Sequence, residues 1–158
     1  MENVMKPAMQ QRLAYGEVSK EGVAALGRLE GYLRNSGLEH SLLELVKMRA
    51  SQINGCGYCL DMHSKDARAG GETEQRLHVL PAWREAPFYT DRERAALEWT
   101  EAVTLISENH VDDALYAHVR AHFSEKELVD LTLAITAINS WNRLAISFRT
   151  EVGTYRPA

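Results

Sequence analysis

The chain has 158 residues, of which 45% are hydrophobic and 25% are charged, and its formal net charge is −4. This length and composition are typical of one soluble globular domain, and the mildly acidic charge argues against nucleic-acid binding, which usually needs a basic face. No apolar run of about eighteen residues predicts a membrane span, and the charged N-terminal segment does not resemble a signal peptide. We therefore expect a cytoplasmic protein with no membrane partner.

The N-terminal segment, residues 1–20, is polar and weakly patterned. We predict a partly ordered arm there, with one helical turn near residues 9–15. The remainder, residues 21–158, is expected to form a single helical domain. Its first helix is predicted over residues 21–36, where apolar side chains recur at helical spacing, and Gly37 is suited to end it.

The later helices are recognised from their caps and their apolar faces. Two capping boxes, in which a Ser or Thr is followed three residues later by Glu, begin at Thr90 and Ser124. The helix after Ser124 has a wide apolar stripe, so we expect it to be central to the core. The predicted later helices cover residues 41–53, 56–69, 73–79, 90–108, 112–123 and 125–148.

The pattern of the whole chain indicates one fold class. No stretch has the alternating hydrophobicity of a strand, and no long-period repeat or low-complexity tract occurs. Pro81 and Pro87 make the segment between the fourth and fifth helices irregular. The prediction is an all-α, single-domain fold of six or seven helices.

Both cysteines lie in one short stretch, residues 44–63, which reads ELVKMRASQINGCGYCLDMH. Cys56 and Cys59 are separated by two residues, and His63 follows Cys59 by four. On a helix that begins at Cys56 these three residues share one stripe. An Asn-Gly turn signal precedes Cys56. Cys56 is therefore expected near a helix N-terminus, where the helix dipole favours a thiolate and lowers a thiol pKa.

These residue types are suited to dithiol redox chemistry. Two thiols at this spacing can close a disulfide with little backbone movement, and His63 can exchange a proton near neutral pH. Glu44, twelve residues before Cys56, is a candidate partner for His63. It also stands three residues after Ser41, so it could instead complete a capping box there.

Three explanations compete for the cysteine pair. A zinc site needs four ligands, which the two cysteines, His63 and Glu44 could supply, but no second separated Cys/His pair completes the usual structural arrangement. A thioredoxin-like oxidoreductase carries its CxxC beside a βαβ pattern, which this chain lacks. A helical thiol peroxidase fits the residues best. A disulfide exchanger, a thiol sensor and a zinc-binding helical oligomer remain alternatives.

Other polar and aromatic residues are less specific. His118 and His122 are four residues apart and are expected on a solvated helix face. The segment Trp141-Asn142-Arg143 interrupts an apolar helix, so its polar groups need partners at an interface, a pocket or another subunit. Side chains that could line a pocket, or equally belong to the core, are Tyr58, Met62, Trp83, Phe88 and Trp141.

The spacing Glu44-x11-Cys56-x2-Cys59-x3-His63 resembles the signature of the alkylhydroperoxidase D-like (AhpD-like) proteins of the carboxymuconolactone decarboxylase superfamily. The resemblance implies an all-α protein that reduces hydrogen peroxide or organic hydroperoxides and assembles as a homo-trimer or hexamer. It implies no metal, flavin or haem cofactor, but an external dithiol or lipoyl-type reductant. Decarboxylase members lack this cysteine pair, so the resemblance argues against lactone decarboxylation.

Carried over to these positions, the resemblance implies that Cys59 is the peroxidatic thiol that becomes a sulfenic acid. Cys56 would be the more exposed partner, which supplies a proton and closes the disulfide, and His63 with Glu44 would relay a proton through water. Helix-dipole arguments alone favour Cys56 as the low-pKa thiol, so the assignment to Cys59 follows the family. Tyr58 stands where the best-studied branch has a second histidine, and a phenol with a free pKa of about 10 is a poor base at neutral pH.

Overall fold

The computed structural model describes residues 9–157. Within them, nine α-helices and one 3₁₀ turn form the regular structure, and no strand occurs. The all-α class is confirmed, but the helix count exceeds the expected six or seven because two additional helices are single turns of four residues. The helices are α1 (Tyr15–Val18), α2 (Lys20–Arg34), α3 (His40–Asn54), α4 (Gly57–Ala69), α5 (Glu74–Val79), α6 (Asp91–Thr104), α7 (Ile106–Asn109), α8 (Asp113–Arg120) and α9 (Glu125–Phe148).

The described part of the predicted N-terminal arm packs against the end of α9. The helical turn expected near residues 9–15 lies later, in α1, and α2 follows directly. The backbone N–H of Arg12 donates to the carbonyl oxygen of Phe148 at 2.9 Å, and the Arg12 guanidinium donates to that of Ser147. Residues 1–8 of the predicted arm lie outside the described residues, and the arm's boundary stays a prediction.

The core is organised around α9, as its apolar stripe predicted. Leu131, Ile135 and Ile138 are completely buried on this helix, which packs against α2, α3, α4, α6 and α8. Helices α3 and α4 lie side by side on one flank of α9, and this three-helix arrangement carries the residues of the motif. In the described part of the chain, no helix has the length and apolar character needed to cross a membrane.

Both predicted capping boxes are confirmed. The Thr90 and Ser124 side chains each accept a backbone N–H from the third residue of the helix, and Glu93 and Glu127 each accept the cap residue's own N–H. The helix after Thr90 ends at Thr104 rather than at residue 108, because the backbone at Leu105 leaves helical geometry (φ −101°, ψ 36°) before α7 begins.

The alternative capping box at Ser41 is excluded. Helix α3 begins one residue earlier, at His40, and its cap residue Glu39 makes no side-chain capping bond. Ser41 therefore lies inside the first turn, and the Glu44 side chain is turned towards α4 instead.

Candidate active site

The corner between α3 and α4 determines where the thiols lie. Helix α3 ends at Asn54, and Gly55 takes the left-handed conformation (φ +69°) that reverses the chain. The backbone N–H of Cys56 then donates to the carbonyl oxygen of Ser51 at 3.0 Å. Cys56 becomes the N-cap of α4, and its sulfur accepts the backbone N–H of Cys59 at 3.4 Å. The helix start therefore presents one sulfur to the free amides of the first turn.

The two thiols are free and buried, and they touch each other. Their sulfurs lie 2.7 Å apart, close enough to share a proton. The hydrogen bond with Cys59 outweighs burial and, with the backbone N–H of Cys59, lowers the pKa of Cys56 to about 7. The same hydrogen bond, together with burial, raises the pKa of Cys59. In the resting pair the negative charge therefore resides on Cys56 and the remaining proton on Cys59.

His63 and Glu44 form a hydrogen-bonded pair beside the thiols. His63 lies one helical turn after Cys59 on α4, and its Nδ1 lies 2.9 Å from Oε2 of Glu44 on α3. Burial alone would raise the pKa of Glu44, but the hydrogen bond and charge of His63, with the charges of Lys47 and His40, lower it on balance. The structure thus brings the predicted imidazole and carboxylate together from neighbouring helices.

A cavity of about 700 Å³ connects these groups. Cys59, His63 and Glu44 line it, whereas Cys56 does not. Contrary to expectation, Cys56 is not distinctly more exposed: both thiols are buried, with exposed fractions of 1% for Cys56 and 3% for Cys59, and only Cys59 lines the cavity. The reason is its position as the N-cap, which folds the Cys56 sulfur back over the helix end while Cys59 faces the cavity.

Among the aromatic and apolar residues considered as pocket linings, Tyr58, Met62 and Trp141 line the cavity, and Trp83 and Phe88 do not. Tyr58 also packs against the buried cluster that contains both cysteines. Burial is the main cause that raises its pKa. The phenol is therefore protonated at neutral pH and can donate a hydrogen bond, but it cannot serve as a base there.

The zinc site considered from the sequence is not formed. In residues 9–157, the metal-ligating atoms that lie within 4.8 Å of one another belong to Glu44, His63 and Asp66, and neither sulfur is part of this group. These side chains also have protein partners: Glu44 is bonded to His63, and Asp66 accepts the hydroxyl of Tyr155 at 2.7 Å. The arrangement is that of a hydrogen-bonded imidazole–carboxylate pair next to a dithiol.

Sequence reasoning did not assign Asp66, Tyr155 or Asn142 to the site. Asp66 and Tyr155 are 89 residues apart, so only the folded chain shows that they meet. Asn142 carried a detectable signal, because it is a polar residue within the apolar stripe of α9. His118 and His122 do pack together, with ring centroids 5.3 Å apart, and they are not among the residues that line the cavity.

Two buried thiols at the start of one helix, with a histidine–carboxylate pair in the same cavity, define an all-helical dithiol protein. Residues 20–102, more than half of the chain, match the carboxymuconolactone decarboxylase family, and the protein belongs to this family. The predicted resemblance to its AhpD-like branch is confirmed by the relatives that follow.

The relatives extend over most of the chain. The uncharacterised protein YdfG of Bacillus subtilis is 48% identical over 139 residues, which cover 88% of this chain and 95% of YdfG. The crystal structure of an Agrobacterium tumefaciens protein of unknown function, provisionally named an antioxidant defence protein AhpD, has 46% identity and a TM-score of 0.86 and covers 94% of this chain and 99% of its own.

Two more distant matches are proteins with a named activity. The alkyl hydroperoxide reductase AhpD of Bradyrhizobium diazoefficiens is 38% identical over 45 residues, which are 28% of this chain and 25% of that protein. The debrominase Bmp8, solved with 2,3,4-tribromopyrrole, has 19% identity and a TM-score of 0.77, over 87% of this chain and 74% of its own. At that identity the debrominase shares the fold alone.

Proposed function

We propose that this protein is a cysteine-based peroxidase that reduces hydrogen peroxide or organic hydroperoxides through the Cys56/Cys59 pair. The observation that carries the proposal is the convergence of Cys59 and the His63–Glu44 pair on one cavity, with the second sulfur 2.7 Å behind Cys59. This arrangement supplies a nucleophile, a proton relay and a resolving thiol.

The first step is the activation of Cys59. Transfer of the shared proton from Cys59 to Cys56, across the 2.7 Å contact, puts the thiolate on the sulfur that faces the cavity. That thiolate attacks one oxygen of the peroxide, the O–O bond breaks, and Cys59 becomes a sulfenic acid. The departing oxygen takes a proton from His63 through water and leaves as water or an alcohol.

The second step closes the disulfide. Cys56 loses its proton to the His63–Glu44 relay through water, and its sulfur attacks the sulfenic sulfur of Cys59. The hydroxyl of the sulfenic acid takes up a proton from the relay and leaves as water. Two thiols and one peroxide therefore give one disulfide, one water, and a second product that is an alcohol or another water. An external dithiol then reduces the disulfide by exchange.

The size of the cavity supports organic hydroperoxides as substrates. Its volume of about 700 Å³ lies in the range of small-molecule sites and far exceeds what hydrogen peroxide needs. Tyr58, Met62 and Trp141 provide apolar contacts for an alkyl or aryl group. The proposal also includes a lipoyl-type dithiol as the reductant, assembly as a homo-trimer or hexamer, and a cytoplasmic location.

The proposal is tested by peroxide consumption with a dithiol reductant, combined with thiol counting. We expect both thiols to be lost after peroxide and recovered with dithiothreitol. In Cys56→Ser a brief peroxide pulse should leave a sulfenic acid on Cys59, detectable by mass spectrometry. A sulfenic acid on Cys56 in Cys59→Ser, with none on Cys59 in the other variant, would overturn the assignment of the attacking thiol. Absence of peroxide consumption by the wild type would overturn the peroxidase itself.

A disulfide exchanger is the second candidate. The lowered pKa of Cys56, about 7, and the contact between the sulfurs suit thiol–disulfide exchange even without peroxide. Rapid oxidation of the protein by a disulfide substrate, together with slow oxidation by peroxides, would favour this function over peroxide reduction.

A further inference from the structure

Asn142 on α9 is a completely buried polar residue in the layer that covers the thiols. Ile138 and Ala145, about one turn to either side of it, belong to the same buried cluster as Cys56 and Cys59. A side chain between those two positions faces the sulfurs from the opposite helix. A buried carboxamide at this position costs free energy of folding unless its donors and acceptor form hydrogen bonds.

The hydrogen bonds of Asn142 use its oxygen and one of its two amide N–H groups. Its amide nitrogen donates to the Ser51 hydroxyl at 3.0 Å, and its oxygen accepts from the Asn54 amide at 2.9 Å. An asparagine amide has two N–H groups, and among residues 9–157 the second makes no hydrogen bond to an oxygen or a nitrogen. The same amide lowers the pKa of both Cys56 and Cys59, in keeping with its place on the helix face that packs on the cysteine cluster.

The orientation of this amide is set by its neighbours. The Asn54 amide nitrogen donates to Asn142 and also to the side-chain oxygen of Asn139 at 3.0 Å. Asn139 in turn donates to the Thr104 hydroxyl at 3.1 Å. If the Asn142 amide were flipped, its N–H groups would face the Asn54 donor and that hydrogen bond would be lost. The network therefore fixes the N–H side of the Asn142 amide away from Asn54.

We propose that Asn142 is a thiolate-stabilising residue of this site, whose second amide N–H donates to whichever sulfur of the Cys56/Cys59 pair carries the negative charge. A neutral donor shared by both sulfurs stabilises the charge before and after the shared proton moves between them. Ser51 and Asn54 act as positioning residues, because they hold the amide in this orientation. The role in turnover rests on the proposed peroxidase, whereas the stabilisation of the thiolate does not.

The test is the pKa of the thiol pair in Asn142→Leu, which keeps the shape of the side chain and removes both donors. The pH dependence of iodoacetamide alkylation, measured without peroxide, should shift upward by about one to two pKa units, as expected for the loss of a hydrogen bond to a charged group. The other titratable groups that line the cavity with Cys59 are unchanged in this variant. They are Tyr15, Glu30, Arg34, His40, Glu44, Lys47, Tyr58, His63, Asp66 and Tyr155.

Asn139→Leu is the matched control, because it removes an amide of the same network from the same helix, one turn earlier. It should leave the thiol pKa at its wild-type value. An unshifted pKa in folded Asn142→Leu, or an equal shift in both variants, would overturn the proposal. If Asn142→Leu does not fold, Asn142→Ser, which keeps one donor on a shorter side chain, should give a smaller upward shift, and no shift there would count against the proposal. A shifted pKa in a protein that consumes no peroxide would retain the role of Asn142 and remove the peroxidase.

Discussion

At the scale of single residues, the hydrogen bond between Glu44 and His63 orients the imidazole ring of the proposed proton relay. The Nδ1 atom of His63 is bonded to Glu44, so Nε2 is left for a water or substrate in the cavity that His63 lines. The lowered pKa of Glu44 keeps its carboxylate charged at neutral pH, so the carboxylate can accept a hydrogen bond from Nδ1 of His63. This geometry is suited to the proposed relay between Cys59 and bulk water.

Replacing Glu44 with Gln tests this role. The amide oxygen can still accept a hydrogen bond from His63, but the negative charge is lost, so proton transfer should slow. We expect kcat/KM for peroxide to fall by about 10²-fold, the lower end of the effect of a general acid–base. Glu30→Gln is the control, because Glu30 lines the same cavity but is paired with Lys47 at 2.9 Å. Equal losses in the two variants would show that cavity charge, rather than the relay, is responsible.

The contact between the sulfurs gives a prediction for pH dependence. The hydrogen bond with Cys59 is the largest cause that lowers the pKa of Cys56 to about 7. In Cys59→Ala that contact is gone, so the pKa of Cys56 should rise towards the ordinary thiol value, and the thiolate fraction at neutral pH should fall. The pH profile of alkylation measures this. Cys59→Ser, whose hydroxyl can still donate, should shift less, and an unchanged profile in Cys59→Ala would contradict the account.

At the scale of elements, the corner between α3 and α4 makes Cys56 an N-cap. Gly55 has φ +69°, and a Cβ built there meets no atom within 4 Å. Space is therefore available, and only the backbone conformation demands glycine. The N–H of Gly55 still reaches the carbonyl oxygen of Gln52 at 3.3 Å, which closes α3 and sets the direction in which α4 departs.

Gly55→Ala should destabilise the protein by roughly 1–2 kcal/mol, the cost of a left-handed conformation for a residue with a Cβ. Gly31→Ala is the matched comparison, because Gly31 lies inside α2 and a Cβ there also meets nothing within 4 Å. That change should instead stabilise the fold by about 0.4–1 kcal/mol. Urea unfolding of both variants measures the two free energies, and effects of the same sign would contradict the prediction.

At the scale of the whole molecule, the C-terminal segment beyond α9 crosses α4 and forms one wall of the cavity. The backbone N–H of Gly153 donates to Asp61 at 3.2 Å, and Lys65 donates to the carbonyl oxygen of Tyr155 at 3.1 Å. The Tyr155 hydroxyl donates to Asp66 at 2.7 Å. This segment thereby limits the approach to Cys59, although it contains neither thiol.

Removal of residues 151–158 tests this wall. Because Tyr155 and Pro157 line the cavity, their loss should speed the reaction of Cys59 with a bulky maleimide several-fold more than its reaction with iodoacetamide. Tyr155→Phe removes only the hydrogen bond to Asp66 and should have a much smaller effect. Unchanged maleimide rates in the folded, truncated protein would show that the segment does not restrict access.

Features that depend on neighbouring residues were predictable from the sequence alone. The two capping boxes, the central apolar helix and the stripe of Cys56, Cys59 and His63 all follow from helical periodicity and from hydrogen bonds between residues three or four positions apart. The all-α class and the family follow for the same reason, because the motif lies within about twenty residues and its spacing is read directly along the chain. The two single-turn helices were misplaced, since one turn has too short a pattern to locate: α1 lies a few residues later than predicted, and α7 falls within the end of the helix predicted after Thr90.

Only the tertiary structure decided which of the possible partners each residue has. Glu44 could cap its own helix or face His63, and the packing of α3 against α4 selects His63. The hydrogen bonds of Asn142 with Ser51 and of Tyr155 with Asp66 join residues far apart in the chain. The position of Cys59 in the cavity depends on the direction in which α4 leaves Gly55. Local rules specify which helices form and which side chains share a face, whereas the partner across a helix interface is set by the packing of the complete core.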